Sequence, residues 1–127
     1  MIKILIVEDQ SELRKLVRMT LEHEPYELHE ACDGDTGLHM LTAIDPDILL
    51  LDVMVPGSID GLQLCELIKS NPKTRHKKVL MLSVRGQYAD VKAWQSAKAD
   101  DYLVKPFSPR ELINKVEALA NSLALAA

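Results

Sequence analysis

The chain reads as an α/β protein: a doubly wound, five-stranded parallel sheet flanked by five helices. Three observations predict it. Five short apolar or β-branched runs alternate with longer segments of helical period, the pattern of repeated βα units. Three of those runs are almost continuously apolar, as central parallel strands covered on both faces must be. Four of them end in residues that carry chemistry, namely Glu8 and Asp9, Asp52, Ser83 and Lys105, and an open parallel sheet gathers its strand ends at one rim.

The first strand is Ile2 to Val7. A helix follows with Leu13, Leu16, Val17 and Leu21 on one face, and Ser11 or Asp9 is placed to cap its start. Pro25 follows its end. The second strand, about Glu27 to Ala31, alternates polar and apolar residues and so reads as an edge. The second helix runs from about Asp35 to Ala43 behind an Asp33-Gly34 turn. After the strand Ile48 to Asp52, a third helix extends from about Gly61 to Ser70 and closes before Asn71-Pro72. Val79 to Ser83 forms the fourth strand. The fourth helix spans roughly Gln87 to Ala97, with Val91 and Trp94 on a shared face and the indole packed on the sheet or a neighbouring helix. Tyr102 to Val104 is the fifth strand. The last helix opens on Ser108 as N-cap, Pro109 at the first position and Glu111 at the third, a capping box. It continues through Leu112, Ile113, Val116 and Leu119, so one domain spans residues 1–122 and a short tail, 123–127, frays.

Right-handed crossovers and the helix count favour a flavodoxin-like strand order, 2-1-3-4-5. At 127 residues the chain is long enough to bury a core without staples. Its net charge of −4 argues against a nucleic-acid surface, which needs clustered Lys and Arg. The apolar N-terminal stretch is too short for a signal segment or a membrane span, and acids end it at once, so the expectation is a soluble, cytoplasmic protein. Cys32 and Cys65 lack metal or redox spacing and read as small buried apolar residues. His23, His29, His39 and His76 read as surface residues, and Arg75 to Lys78 as a solvated basic loop.

Three carboxylates at one sheet rim would carry a charge of −3, against which Lys105 supplies only +1. Like charges in a confined site raise one another's pKa unless a cation compensates. Mg²⁺, a hard ion that accepts one or two carboxylates, a carbonyl and several waters, fits that deficit. One carboxylate can then act as nucleophile toward a phosphoryl group whose equatorial oxygens the metal and lysine shield, giving an aspartyl phosphate.

Four segments carry a family resemblance: Ile-Leu-Ile-Val-Glu-Asp, Pro-Asp-Ile-Leu-Leu-Leu-Asp-Val-Met-Val-Pro-Gly, Val-Leu-Met-Leu-Ser and Ala-Asp-Asp-Tyr-Leu-Val-Lys-Pro-Phe. In this order and at these separations the chain resembles a response-regulator receiver domain, CheY-like, over essentially its full length. The resemblance implies that Asp52 accepts the phosphoryl group, from a histidine kinase or phosphotransfer protein, and that Glu8, Asp9, Asp52 and the Met54 carbonyl organise Mg²⁺. It implies that Lys105 binds phosphoryl oxygens, that Ser83 closes onto them, that Tyr102 is the aromatic switch, and that the Lys105-Pro106 bond is cis. The face of the fourth helix, fifth strand and fifth helix would then change for a downstream effector. Self-catalysed phosphotransfer and dephosphorylation are its only expected reactions.

The sequence departs from the family pattern in places. The loop after Asp52 is one residue longer between Pro56 and Asp60 than the commonest form, Val84 is larger than the usual Ala or Gly and crowds the approach to Asp52, and Lys98 stands where Gly is usual. Arg85 and Met54 occupy positions that tune hydrolytic lifetime in the family. The last segment resembles receivers that precede a winged-helix domain and dimerise through the same switch face, and Asp100, Asp101, Glu111 and Lys115 fit that interface, although Val91 and Ser122 stand near positions where Arg is expected. Other readings are a phosphorylation-independent interaction scaffold, which the complete acid, serine and lysine set argues against, and the excised receiver of a DNA-binding regulator. An aspartate-nucleophile phosphatase would want an acid where Met54 stands. A flavin-binding fold would need a phosphate loop where Glu8 and Asp9 repel phosphate.

Overall fold

The computed structural model describes residues 1–84, 92–93 and 95–126. Its strands are β1 (Ile2–Val7), β2 (Tyr26–Ala31), β3 (Ile48–Asp52), β4 (Lys78–Ser83) and β5 (Asp101–Val104). They form one parallel sheet in the order β2-β1-β3-β4-β5. The alternating strand β2 lies at an edge, as its pattern demands. The helices with defined bounds are α1 (Ser11–Leu21), α2 (Gly34–Ile44), α3 (Gly61–Ser70) and α4 (Pro109–Ala126). The expected helix from Gln87 to Ala97 lies largely outside the described residues; of it, Lys92, Ala93, Gln95 and Ser96 are helical, while Arg85, Val91 and Trp94 fall outside them.

The strand period of two divides the core into two layers. Leu5, Val7, Leu49, Leu51, Val79 and Met81 pack with Leu41 of α2 and with Leu64, Cys65 and Ile68 of α3. Ile4, Ile6, Ile48, Leu50, Leu80 and Leu82 face the other way, onto Val17 and Leu21 of α1 and Leu112, Val116 and Leu119 of α4. Because β1, β3 and β4 contribute to both layers, their central residues, Ile4–Val7, Ile48–Leu51 and Val79–Leu82, are apolar throughout.

Helix starts follow local chemistry. Asp33 caps α2 by accepting from Thr36 N, and Asp60 and Gln63 form a reciprocal capping box at α3. The box expected at α4 is present: Glu111 N donates to Ser108 Oγ at 3.1 Å, and Ser108 N to Glu111 Oε1 at 3.3 Å. The cap of α1 differs from expectation. Gln10, not Ser11 or Asp9, is the N-cap residue, and no side chain caps the helix. Helix α4 extends to Ala126, and Leu123 packs on the second core layer.

Two residues are placed differently from their sequence reading. Cys32 is exposed on the loop before α2, whereas burial pushes the Cys65 thiol up to about 12. Lys77 is buried, not solvated: its Nζ donates to Asp45 Oδ1 at 2.5 Å and to Pro46 O at 2.7 Å. This joins a polar seam at the starts of the strands. Asp47 accepts from Lys3 N, Asp100 accepts from Val79 N, and Lys69 Nζ reaches both Asp100 and the Lys77 carbonyl. Lys98 follows the helical residues with φ 64°, the left-handed conformation that explains why glycine suits this position.

Candidate functional site

At the opposite rim, the strand alternation continued past the ends of β1 and β5 sends Glu8, Asp52 and Lys105 to the side of Ile6, Leu50 and Leu103. The contacts agree. Lys105 Nζ lies 2.7 Å from Glu8 Oε1 and 3.4 Å from Asp52 Oδ1. Glu8 is fully buried and Asp52 nearly so, whereas Asp9 is exposed. One carboxylate oxygen from each of Glu8, Asp9 and Asp52 lies within 4.8 Å of the other two.

The surroundings fix how each acid is held. Burial pushes the Glu8 carboxyl above its ordinary pKa, opposed by the Lys105 hydrogen bond. Both its oxygens are engaged, Oε1 by Lys105 and Oε2 by Gln10 N at 3.1 Å. Asp52 Oδ1 accepts from Met54 N at 3.3 Å and lies 3.4 Å from Lys105 Nζ. Ser83, 6 % exposed, pairs with Val104 in the β4–β5 register, and its carbonyl accepts from Lys105 N at 2.6 Å, so serine and lysine are neighbours through the backbone. The Lys105–Pro106 peptide is cis. Tyr102 pairs with Met81 and is half-buried against the first core layer.

The loop after Asp52 folds back onto α2. Ser58 N and Oγ both donate to Asp35, Gly34 N donates to Pro56 O at 3.0 Å, and Gly57 turns with φ 114°. Val84 is 65 % exposed and lines a groove of about 470 Å³ with Leu13, Leu16, Lys105 and Pro106, at the mouth of the site. The charges read as an intermolecular pattern are paired within the chain: Lys115 with Asp101 at 3.0 Å, Asp100 with Lys69 at 2.8 Å, and Glu111 in its cap. Sequence reasoning passed over Gln10 and Arg14, whose backbone N and guanidinium respectively hold the two ends of Glu8. No single-position motif marks either one.

This is a doubly wound α/β domain whose carboxyl rim gathers a lysine and three acids that could hold a metal ion. A profile of the response regulator receiver domain matches residues 4–117, and the chain belongs to that family. It is 41% identical over 117 residues to the transcriptional regulatory protein ResD of Bacillus subtilis (strain 168), covering 92% of this chain and 47% of that protein. It is 38% identical over 117 residues to the phosphate regulon transcriptional regulatory protein PhoB of Escherichia coli (strain K12), covering 92% and 51% respectively. The chain thus spans about half the length of the curated relatives it matches. The solved structure of the chemotaxis response regulator CheY4 of Vibrio cholerae superimposes with a TM-score of 0.86 at 26% identity, over 94% of this chain and 98% of that one. The chain is therefore a phosphoacceptor module of two-component signalling, and the 2-1-3-4-5 sheet is the fold the sequence predicts. No described helix is long and apolar enough to cross a membrane.

Proposed function

We propose that Asp52 is the phosphoacceptor, receiving the phosphoryl group from a histidine kinase or phosphotransfer protein, and that Glu8, Asp9, Asp52 and the Met54 carbonyl organise Mg²⁺ beside it. The observation that carries this reading is the position of Lys105 Nζ, between Glu8 and a nearly buried Asp52, within a cluster of three acids. The donor set fits the ion. All three side chains offer hard oxygen ligands, and Mg²⁺ needs only one or two of them directly while keeping waters. Asp9 and Asp52 have the freer oxygens; Glu8, with both oxygens hydrogen-bonded, suits contact through water. Bound Mg²⁺ would neutralise charge on the equatorial phosphoryl oxygens.

The chain's own groups then perform the transfer. Asp52 Oδ2 attacks phosphorus, the bond from phosphorus to the donor's nitrogen or oxygen breaks, and its electron pair leaves with the donor. Met54 N holds Oδ1 and so aims the carboxylate. Lys105 exchanges a carboxylate partner for a phosphoryl oxygen, and Ser83 Oγ donates to another. Attack by water on phosphorus reverses the modification, releasing inorganic phosphate and restoring the carboxylate, so both reactions are self-catalysed. Because Lys105 N is bonded to Ser83 O, movement at Ser83 reaches β5 and Tyr102 within three residues. The altered face is read by an effector protein or domain.

The test is the intact mass of wild type and Asp52→Ala after incubation with a small acyl phosphate, with and without Mg²⁺. One added phosphoryl group in wild type with Mg²⁺, and in neither control, is the expected result. A wild type that takes no phosphoryl group from the acyl phosphate or from a phosphorylated donor protein makes the chain an interaction scaffold instead.

A further inference from the structure

The acid pair at the end of β1 is held from behind by an arrangement that the phosphotransfer chemistry does not use. The β1–β2 ladder ends where Glu8 N donates to Ala31 O at 3.0 Å. The next carbonyl, that of Glu8, accepts from Arg14 Nη1 at 2.8 Å. The same guanidinium donates Nε to Glu30 Oε1 at 2.9 Å, and Arg18 Nη1 donates to Glu30 Oε2 at 2.8 Å. One planar group thus ties α1, β2 and the peptide joining Glu8 to Asp9. Fixing that peptide fixes the direction in which Asp9 leaves the strand, while Gln10 N fixes the Glu8 side chain from the other end.

We propose that Arg14 is a positioning residue for the metal site: its guanidinium, seated on Glu30, locks the Glu8–Asp9 peptide so that the exposed Asp9 carboxylate is presented to Mg²⁺ beside Asp52. This rests on the Mg²⁺ reading above. Its role is geometric: the guanidinium is seated on Glu30 and aimed at the Glu8 carbonyl. A guanidinium holds two acceptors in a fixed fork, which an ammonium cannot do. Groups that orient metal ligands from behind change metal affinity by about tenfold or more when removed.

The experiment is a calorimetric titration of wild type, Arg14→Ala, Arg14→Lys and Arg18→Ala with MgCl₂, with thermal unfolding in parallel. Arg18→Ala is the structural control, because it also removes an ion pair to Glu30 but leaves the Glu8 carbonyl bond intact. The expected result is Mg²⁺ affinity about tenfold weaker in both Arg14 variants and within about twofold of wild type in Arg18→Ala. Wild-type affinity in Arg14→Ala overturns the proposal. Rescue by Arg14→Lys does so too, since charge then suffices, and equal losses in Arg14→Ala and Arg18→Ala assign the effect to general loosening of α1. A wild type that binds no Mg²⁺ overturns the metal reading itself, and this proposal with it.

Discussion

Gly61→Ala tests how tightly α3 is coupled to the phosphoacceptor strand. Gly61 opens α3, and its N donates to Val53 O at 3.1 Å, so the helix start lies directly on the peptide that follows Asp52. A Cβ there would sit 1.9 Å from Asp52 O, 2.7 Å from Asp52 C and 3.0 Å from Val53 Cα. Real Cβ atoms essentially never approach closer than 3.0 Å, so helix and strand must part by at least about 1.1 Å, and the obstruction is backbone that no rotamer change relieves. Overpacking of this kind costs about 1–3 kcal/mol. Displacing a reacting group by roughly 1 Å costs about a hundredfold in rate. Gly37→Ala is the control: its Cβ meets side-chain methyl groups of Val7 and Leu64 at 3.1 and 3.2 Å, which can yield, and none of its nearest neighbours is a backbone atom. We expect Gly61→Ala to fold with a lowered urea midpoint and to take up phosphoryl groups from an acyl phosphate about a hundredfold more slowly at saturating Mg²⁺, with Gly37→Ala close to wild type. A folded Gly61→Ala phosphorylated at the wild-type rate would refute the reasoning, since α3 would then have moved alone.

Two further outcomes follow from backbone and charge. Lys98→Gly relieves a left-handed residue and should raise the melting temperature by a few degrees, corresponding to about 1 kcal/mol, as measured by circular dichroism; an unchanged or lower value contradicts the strain at φ 64°. Asp35 is held below its ordinary value of 3.8 by hydrogen bonds from Ser58. A depressed carboxyl stabilises the fold above its unfolded pKa and loses that contribution as pH falls through its lower folded value. Asp35→Asn should therefore be less stable than wild type at neutral pH, with the gap in unfolding midpoint closing below pH 3.8; a gap constant across that range contradicts the role given to the loop contact.

The strands and their order were legible because burial on both faces leaves a strong mark: Ile2–Val7 and Ile48–Asp52 keep the bounds read from sequence. The site was legible because its acids and lysine each end a strand, and parallel topology brings strand ends together. What escaped depends on contacts remote in sequence. Lys77 reads as one of a basic run until Asp45, 32 residues away, closes over its ammonium. Arg14 looks like an ordinary polar-face residue until Glu30, 16 positions on, turns it toward the Glu8 carbonyl. The α1 cap was misread for a related reason: the sequence shows several acceptors near Gln10 but not that Glu8 is the one turned back to its N–H.

The polar seam at the strand starts has a consequence for how such a chain can diverge. Asp47, Lys69, Lys77 and Asp100 secure β1, β3 and β4 at the rim remote from the acids. Robustness and signalling are thereby written at opposite ends of the same strands. Substitution along one edge can then shift the stability of the scaffold while the acids at the other edge keep their places.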